Sequence, residues 1–324
     1  MTQRVSQPVN QPVPSGLRYH ELHRSGAPGW WRPVVGVLAL VFLTFVIAPF
    51  VIIVVFMAGF VVTGEDLRAS TERLVDTDSV TPLGLAFLNL ALAASILAAW
   101  VVTRVFHGLK PRWLSSVLPR IRWSWFTVCF GLSFVALLAT LVVAALLPDA
   151  GTGTTMSGEL NGFTSTTRDF LLVVALLTPL QAAGEEYAFR GYLTQAFGGL
   201  FRSPIPAVIV PSVLFALAHG AQDAPIFLDR LAFGLVAGIA VIVTGGLEAG
   251  IAMHVLNNWL AFGLALAYGD MSSALNPTGG SWWSLPVTLT QSLVYLGLTV
   301  LVARRMGVRT RTQPVVLEAL GSRV

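Results

Sequence analysis

The chain has 324 residues, of which 55% are hydrophobic and only 11% are charged, with a mean hydropathy of +0.74. An ordinary soluble domain is about 25% charged, so a soluble globular fold is excluded. The single cysteine, Cys129, lies in an apolar run, which excludes a disulfide scaffold and a cysteine-based metal cluster. A net charge of +4 and a pI near 9.7 raise the question of nucleic acid, but the positions of the charges point to a membrane surface and no nucleic-acid partner.

Residues 1–32 are polar and rich in Pro, Gln and Ser, and read as a disordered cytoplasmic tail. From Pro33 to Gly64 the chain runs 32 residues without a charge. That run is too long for a signal-peptide core and no small-residue cleavage site follows it, so it is a retained span. Further spans are expected at 82–103, 123–147, 170–200, 206–222, 228–246, 249–268 and 284–303, before a basic tail at 304–324. The predicted fold is all-α, a polytopic membrane bundle of about eight transmembrane helices over residues 33–303.

Alternate segments of this arrangement hold 16 of the 20 basic residues, whereas the opposite segments hold 11 of the 16 acidic ones. By the positive-inside rule both termini are cytoplasmic, in a multi-pass plasma-membrane protein. The second loop carries Arg104, Lys110, Arg112, Arg120 and Arg122, with Trp113/Val117 and Leu114/Leu118 at helical spacing. Two readings stand side by side for it: a short interfacial helix on an anionic leaflet, or a solvated basic loop.

Charge at membrane depth is costly and marks chemistry or transport. Ionisable and amide groups gather in the fourth span at Glu185, Glu186 and Arg190, in the fifth at His219 after Phe215, and in the seventh at His254 and Asn258. Glu186 and Arg190 are i,i+4 with the acid first, the favourable order for an ion pair. Glu185 is then left about 100° around the helix, placed to accept and return a proton. His254 and Asn258 share a face, and His219 adds a second imidazole. Such a set can activate water and stabilise an oxyanion. His20, His23 and His107 read as solvated, and Asn89 and Gln291 as helix-packing groups.

In order, these stretches fit Glu-Glu-x-x-x-Arg, Phe-x-x-x-His and His-x-x-x-Asn. The pattern resembles that of the CPBP family (CAAX protease and bacteriocin-processing, or Abi) of intramembrane endopeptidases, over roughly residues 168–268 as a catalytic core. The resemblance implies that Glu185 with His219 activates water, and that His254 with Asn258 stabilises the oxyanion. Glu186, Arg190 and Phe215 would support the site. It also leaves a metal open, a divalent ion such as zinc held by Glu185, His219 and His254. The expected substrate is a membrane peptide or a lipid-anchored CAAX-like C-terminal tail. The competing classes are a proton-coupled transporter or channel with a Glu/His relay, and a non-catalytic bacteriocin-immunity protein. One geometric tension stands against the site: straight spans put His219 about 20 Å deep and His254 only about 8 Å.

Overall fold

The computed structural model describes residues 16–147, 156–157, 159–220 and 223–313. Residues 1–15 and 314–324 of the two expected tails lie outside them. The first rod is α1 (Trp31–Phe42) and α2 (Ala48–Thr63), joined by a π-helical turn at Leu43–Ile47. Asp66 and Thr81 accept backbone hydrogen bonds at the starts of α3 (Leu67–Val75) and α4 (Pro82–Ala93), satisfying donors that a helix start leaves unpaired. There follow α5 (Ser95–His107), α6 (Trp123–Leu146), α7 (Ser165–Leu176) and α8 (Thr178–Glu186). A second π-helical turn, Tyr187–Leu193, leads into α9 (Thr194–Phe201). The last elements are α10 (Pro204–Ala218), α11 (Ala224–Thr244), α12 (Glu248–Tyr268), the short α13 (Met271–Leu275) and α14 (Ser284–Arg305). Among the described residues there is no strand, only isolated bridges; the fold is all-α.

Among the described residues, six helical stretches are long and apolar enough to cross a membrane: Trp31–Thr63, Pro82–His107, Trp123–Leu146, Ala224–Thr244, Glu248–Tyr268 and Ser284–Arg305. The two other expected segments are helical without meeting that measure. The α7–α9 stretch is interrupted and carries the Glu185–Glu186–Arg190 charges, and α10 has 15 residues.

α8 packs between α4 and α12, while α6, α11 and α14 pack together on the other side of α12. The two largest of four apolar clusters among the described residues flank α12. One surrounds Trp113, Tyr192, Leu247 and Val255; the other surrounds Trp125, Phe215, Phe233 and Met253. α12 feeds both, so its polar residues are held at the junction. Gly184 lets α8 press against α4, since a Cβ there would come within 2.3 Å of the Leu92 carbonyl oxygen.

The depth tension resolves through the α9–α10 turn. Arg202, with φ 55°, reverses the chain, and Glu185 and His219 lie 17 residues to either side of it. They therefore meet at one level. Because His254 is only six residues into α12, at 1.5 Å per residue the hairpin tip projects about 16 Å past the start of α12. Helix α9 does run on past Gly191, and its end packs on residues 19–25.

Two readings of the polar ends need correction. Residues 19–25 are not disordered: they form a 3₁₀ helix, Tyr19–Ser25, with Tyr19 and Leu22 fully buried and the Tyr19 hydroxyl donating to the Leu114 carbonyl. Neither reading of the second loop holds. A 3₁₀ turn at Pro111–Leu114 folds inward, burying Trp113, Leu114 and Val117, and backbone bonds from Val117 N to Gly245 O (2.8 Å) and Leu247 N to Ser115 O (2.9 Å) pin it beneath the α11–α12 turn. The basic residues are spent partly within the protein; Arg122 makes a fork with buried Glu248 at 2.7 and 2.8 Å.

His20, His23 and His107 are also buried rather than solvated. His23 stacks on His107 with ring centroids 3.9 Å apart, and burial holds the His23 imidazole well below its usual pKa. The described ends of the chain meet at one face, with Gly16 N donating to Thr312 O at 3.1 Å and Thr312 N to Leu17 O at 2.9 Å.

Candidate active site

Glu185 and Glu186 end α8, where the helix widens into the π turn, and neighbouring positions 100° apart send them to different surroundings. Glu186 is fully buried, and its Oε1 accepts from Arg190 Nη1 at 2.8 Å and from His254 Nδ1 at 3.0 Å. A carboxylate only accepts, so the proton of that imidazole bond sits on Nδ1 and Nε2 is turned towards Glu185. The contact depends on Gly250 of α12, where a Cβ would come within 2.4 Å of Glu186 Oε2.

Arg190 is buried as deeply as its partner, and its Nε and Nη2 have no hydrogen-bond partner. The Phe215 ring answers part of that charge, lying 4.2 Å below the guanidinium carbon. Phe215 also sets the histidines: its ring centroid is 4.3 Å from that of His219 and 5.8 Å from that of His254. Its carbonyl oxygen accepts from His219 Nδ1 at 2.8 Å, which fixes the same tautomer there and leaves Nε2 facing Glu185.

Glu185 completes the arrangement. Its Oε1 accepts from Gln181 Nε2 at 2.6 Å. Its Oε2 is buried with no hydrogen-bond partner, 3.5 Å from His254 Nε2 and 3.9 Å from His219 Nε2. These atoms stand on the wall of a cavity of about 720 Å³ whose lining is mostly apolar, including Leu40, Leu88 and Phe262. Asn258 opens on the same cavity, and its Nδ2 donates to Gln181 Oε1 at 3.0 Å.

Glu185, His219 and His254 are thus brought into mutual contact, with Glu186, Arg190 and Phe215 behind them. Asn258 joins through an intermediary. That intermediary, Gln181, escaped the sequence reading although its i,i+4 spacing to Glu185 was visible; an amide in a span passes for a packing group. Phe233, whose ring stands edge-on to His254 at 5.3 Å, was one apolar residue among many.

Glu185, His219 and His254 are the side chains that would hold a divalent ion, though among the described residues no group of three or more His, Cys, Asp or Glu is spaced as a metal site; the steps below use the side chains alone.

Comparison with known proteins agrees with the motif reading. Residues 167–260 match the family described as type II CAAX prenyl endopeptidase Rce1-like, a stretch that contains every motif residue above. The chain is also 26% identical over 257 residues to the uncharacterized protein YyaK of Bacillus subtilis (strain 168), covering 74% of this chain and 82% of that protein. No solved structure matches. With its apolar helices and this site, the chain is an integral multi-pass membrane protein similar, through residues 167–260, to the Rce1-like CAAX endopeptidases, a family of proteases.

Proposed function

We propose that this protein is an intramembrane endopeptidase that hydrolyses a peptide bond in a membrane-associated peptide or a CAAX-like C-terminal tail, using the side chains of residues 168–268. The observation that carries the reading is the buried, unpartnered Glu185 Oε2, opposed by two imidazole Nε2 atoms at 3.5 and 3.9 Å on the wall of a large apolar cavity. One water can sit within hydrogen-bond reach of a carboxylate oxygen and a nitrogen at that separation.

Glu185 takes a proton from this water while His219 orients it, and the resulting hydroxide attacks the scissile carbonyl carbon. The developing oxyanion meets His254 and the second amide N–H of Asn258. For this role His254 presents Nε2–H to the cavity while its Nδ1–H stays on Glu186. Collapse of the tetrahedral intermediate breaks the C–N bond, and the Glu185 carboxyl returns its proton to the leaving amine. The apolar lining supports a substrate delivered from the bilayer, and the clustering of charged residues by segment supports plasma-membrane placement with both termini cytoplasmic.

Comparative proteomics of membrane fractions from cells carrying wild-type or Glu185→Ala protein tests this. The reading requires new peptide ends that are present with the wild type and absent with the variant. Identical sets of ends would sink it.

A further inference from the structure

The cavity that holds Glu185 has a direction. On three helices that border it the lining runs from the level of Glu185 towards the face opposite the chain ends: from Leu92 back to Leu85 on α4, from Glu185 back to Gln181 on α8, and from His254 on to Phe262 on α12. Its far end is bordered by Thr77, in the loop before α4, and by Asn276, which follows α13; both are exposed. The other end is shut. Ala188 and Leu193, the lining residues that lead towards Arg202 and the chain ends, are buried, and on that side Trp113, Leu114, Tyr192 and Leu247 form a core from which solvent is excluded.

The side of the cavity differs from its far end. Val41, Phe45 and Leu217 line it and keep 48%, 51% and 51% of their surface open, but this is apolar wall at membrane depth, where lipid is the neighbour. An extended peptide carries backbone N–H and C=O groups that lipid cannot satisfy, so the exposed polar end at Thr77 and Asn276 is the route that suits it. The two rims are joined there by hydrogen bonds. Asn276 Nδ2 donates to the Thr77 carbonyl at 2.8 Å, and Val80 N donates to Ser272 Oγ at 3.0 Å. A peptide can displace such a closure, because its own backbone offers the same donors and acceptors in exchange.

We propose that the substrate is a peptide segment exposed at the face opposite the chain ends, and that it enters the cavity between Thr77 and Asn276. The depth it must reach follows from the helices. Gly184 packs on the Leu92 carbonyl, so Leu92 stands near the level of Glu185, and from Leu92 to the start of α4 at Pro82 is about 15 Å. From His254 to the end of α12 at Tyr268 is about 21 Å. At about 3.3 to 3.6 Å per residue of extended chain, the bond that is cut lies about four to six residues inside the mouth. The inference rests on the peptidase reading above. With both chain ends cytoplasmic, it selects a membrane-associated peptide presented outside over a cytoplasmic C-terminal tail.

The test uses the full-length protein in proteoliposomes with one exposed thiol introduced by Asn276→Cys; the native Cys129 is buried. A bulky, membrane-impermeant maleimide is attached, and cleavage of an internally quenched peptide library with randomised apolar positions is compared before and after. Thr278→Cys, exposed and outside the cavity lining, is the control. Labelling at position 276 should lower kcat/KM by about 10-fold or more, and labelling at position 278 should leave it near the unlabelled value. Thr77→Cys, on the other rim, should repeat the loss and decides the matter if Asn276→Cys does not fold. Cleavage that survives the label at both rims overturns the proposal and assigns entry to the lipid-facing side; an equal loss at position 278 overturns it as a general effect of the label. In intact cells the same reagent should reach Asn276→Cys, and labelling confined to inverted membranes would overturn the choice of an external peptide. A binding arm separates the two claims, with the library protecting the introduced thiol from the maleimide in Glu185→Gln protein. Protection with no cleavage by wild type keeps the mouth and removes the peptidase reading; cleavage by wild type with no protection keeps the peptidase reading and removes the mouth.

Discussion

Glu186 offers the sharpest separation between holding the fold and shaping the chemistry, because a single oxygen serves Arg190 at 2.8 Å and His254 at 3.0 Å. Glu186→Ala strands a guanidinium whose surface is 99% removed from solvent. Breaking a buried pair by removing one partner costs about 3 to 5 kcal/mol. At roughly 2 to 4 °C per kcal/mol for a protein of this size class, Tm should fall by about 10 °C, and activity should fall with it. A second change tells the two effects apart. In Glu186→Ala with Arg190→Met no charge is left unpaired, so most of the lost Tm should return. Activity should stay low, because His254 still lacks the carboxylate that holds its Nδ1–H and fixes the orientation of the ring. Thermal unfolding in detergent together with turnover of a peptide substrate reads both. Recovery of activity along with stability in the double variant would refute the orienting role, and an unchanged Tm in Glu186→Ala would refute the ion pair as a structural element.

Three further outcomes follow from the same geometry. Gln181→Leu removes the amide that joins Glu185 to Asn258 and should lower kcat about 10-fold or more with Tm nearly unchanged, while Gln181→Glu should shift the pH profile; loss of Tm in proportion to kcat would make Gln181 a packing residue. His254→Ala and Asn258→Ala should each cost about 10² to 10³ in kcat, and the double variant little more than the worse single one, whereas Asn257→Ala should be tolerated; strictly additive losses with raised KM would assign the pair to substrate binding. At the Tyr19–Ser25 helix, burial depresses the folded-state His23 pKa, so the docked segment is fully stabilised above the unfolded value near 6.5 and loses that contribution as pH falls towards the folded value. Hydrogen-exchange protection factors of residues 19–25, taken against the intrinsic rate at each pH, should accordingly fall between about pH 6.5 and 5, and His23→Phe should flatten the dependence.

The residues of the candidate site were legible because their signals are local. Glu186–Arg190 and His254–Asn258 are i,i+4 pairs, and charge in an apolar helix is conspicuous however the helices pack. The level at which the three helices meet was not legible. It depends on how far α9 runs beyond the apolar stretch before Arg202 reverses it, and straight spans counted from their apolar ends give the wrong origin. Burial of Tyr19–Ser25 and of Trp113 was hidden for a related reason: both stretches are polar in composition, and only their packing on α9 and beneath the α11–α12 turn shows that a few apolar side chains dominate. Gln181 was missed because its role is made by two partners on different helices, of which only Glu185 lies near it in sequence.

The central claim is that Glu185 is the base of a peptide hydrolysis, and the most direct measurement is single-turnover cleavage of a peptide by purified wild-type and Glu185→Gln protein in proteoliposomes. The amide fills the same volume and can keep its contact with Gln181, but it cannot accept a proton from water, so the rate should fall by about 10² to 10⁴ while peptide binding and Tm stay near the wild-type values. Cleavage by Glu185→Gln within a few-fold of wild type would contradict the account and move the base elsewhere, to His219 first.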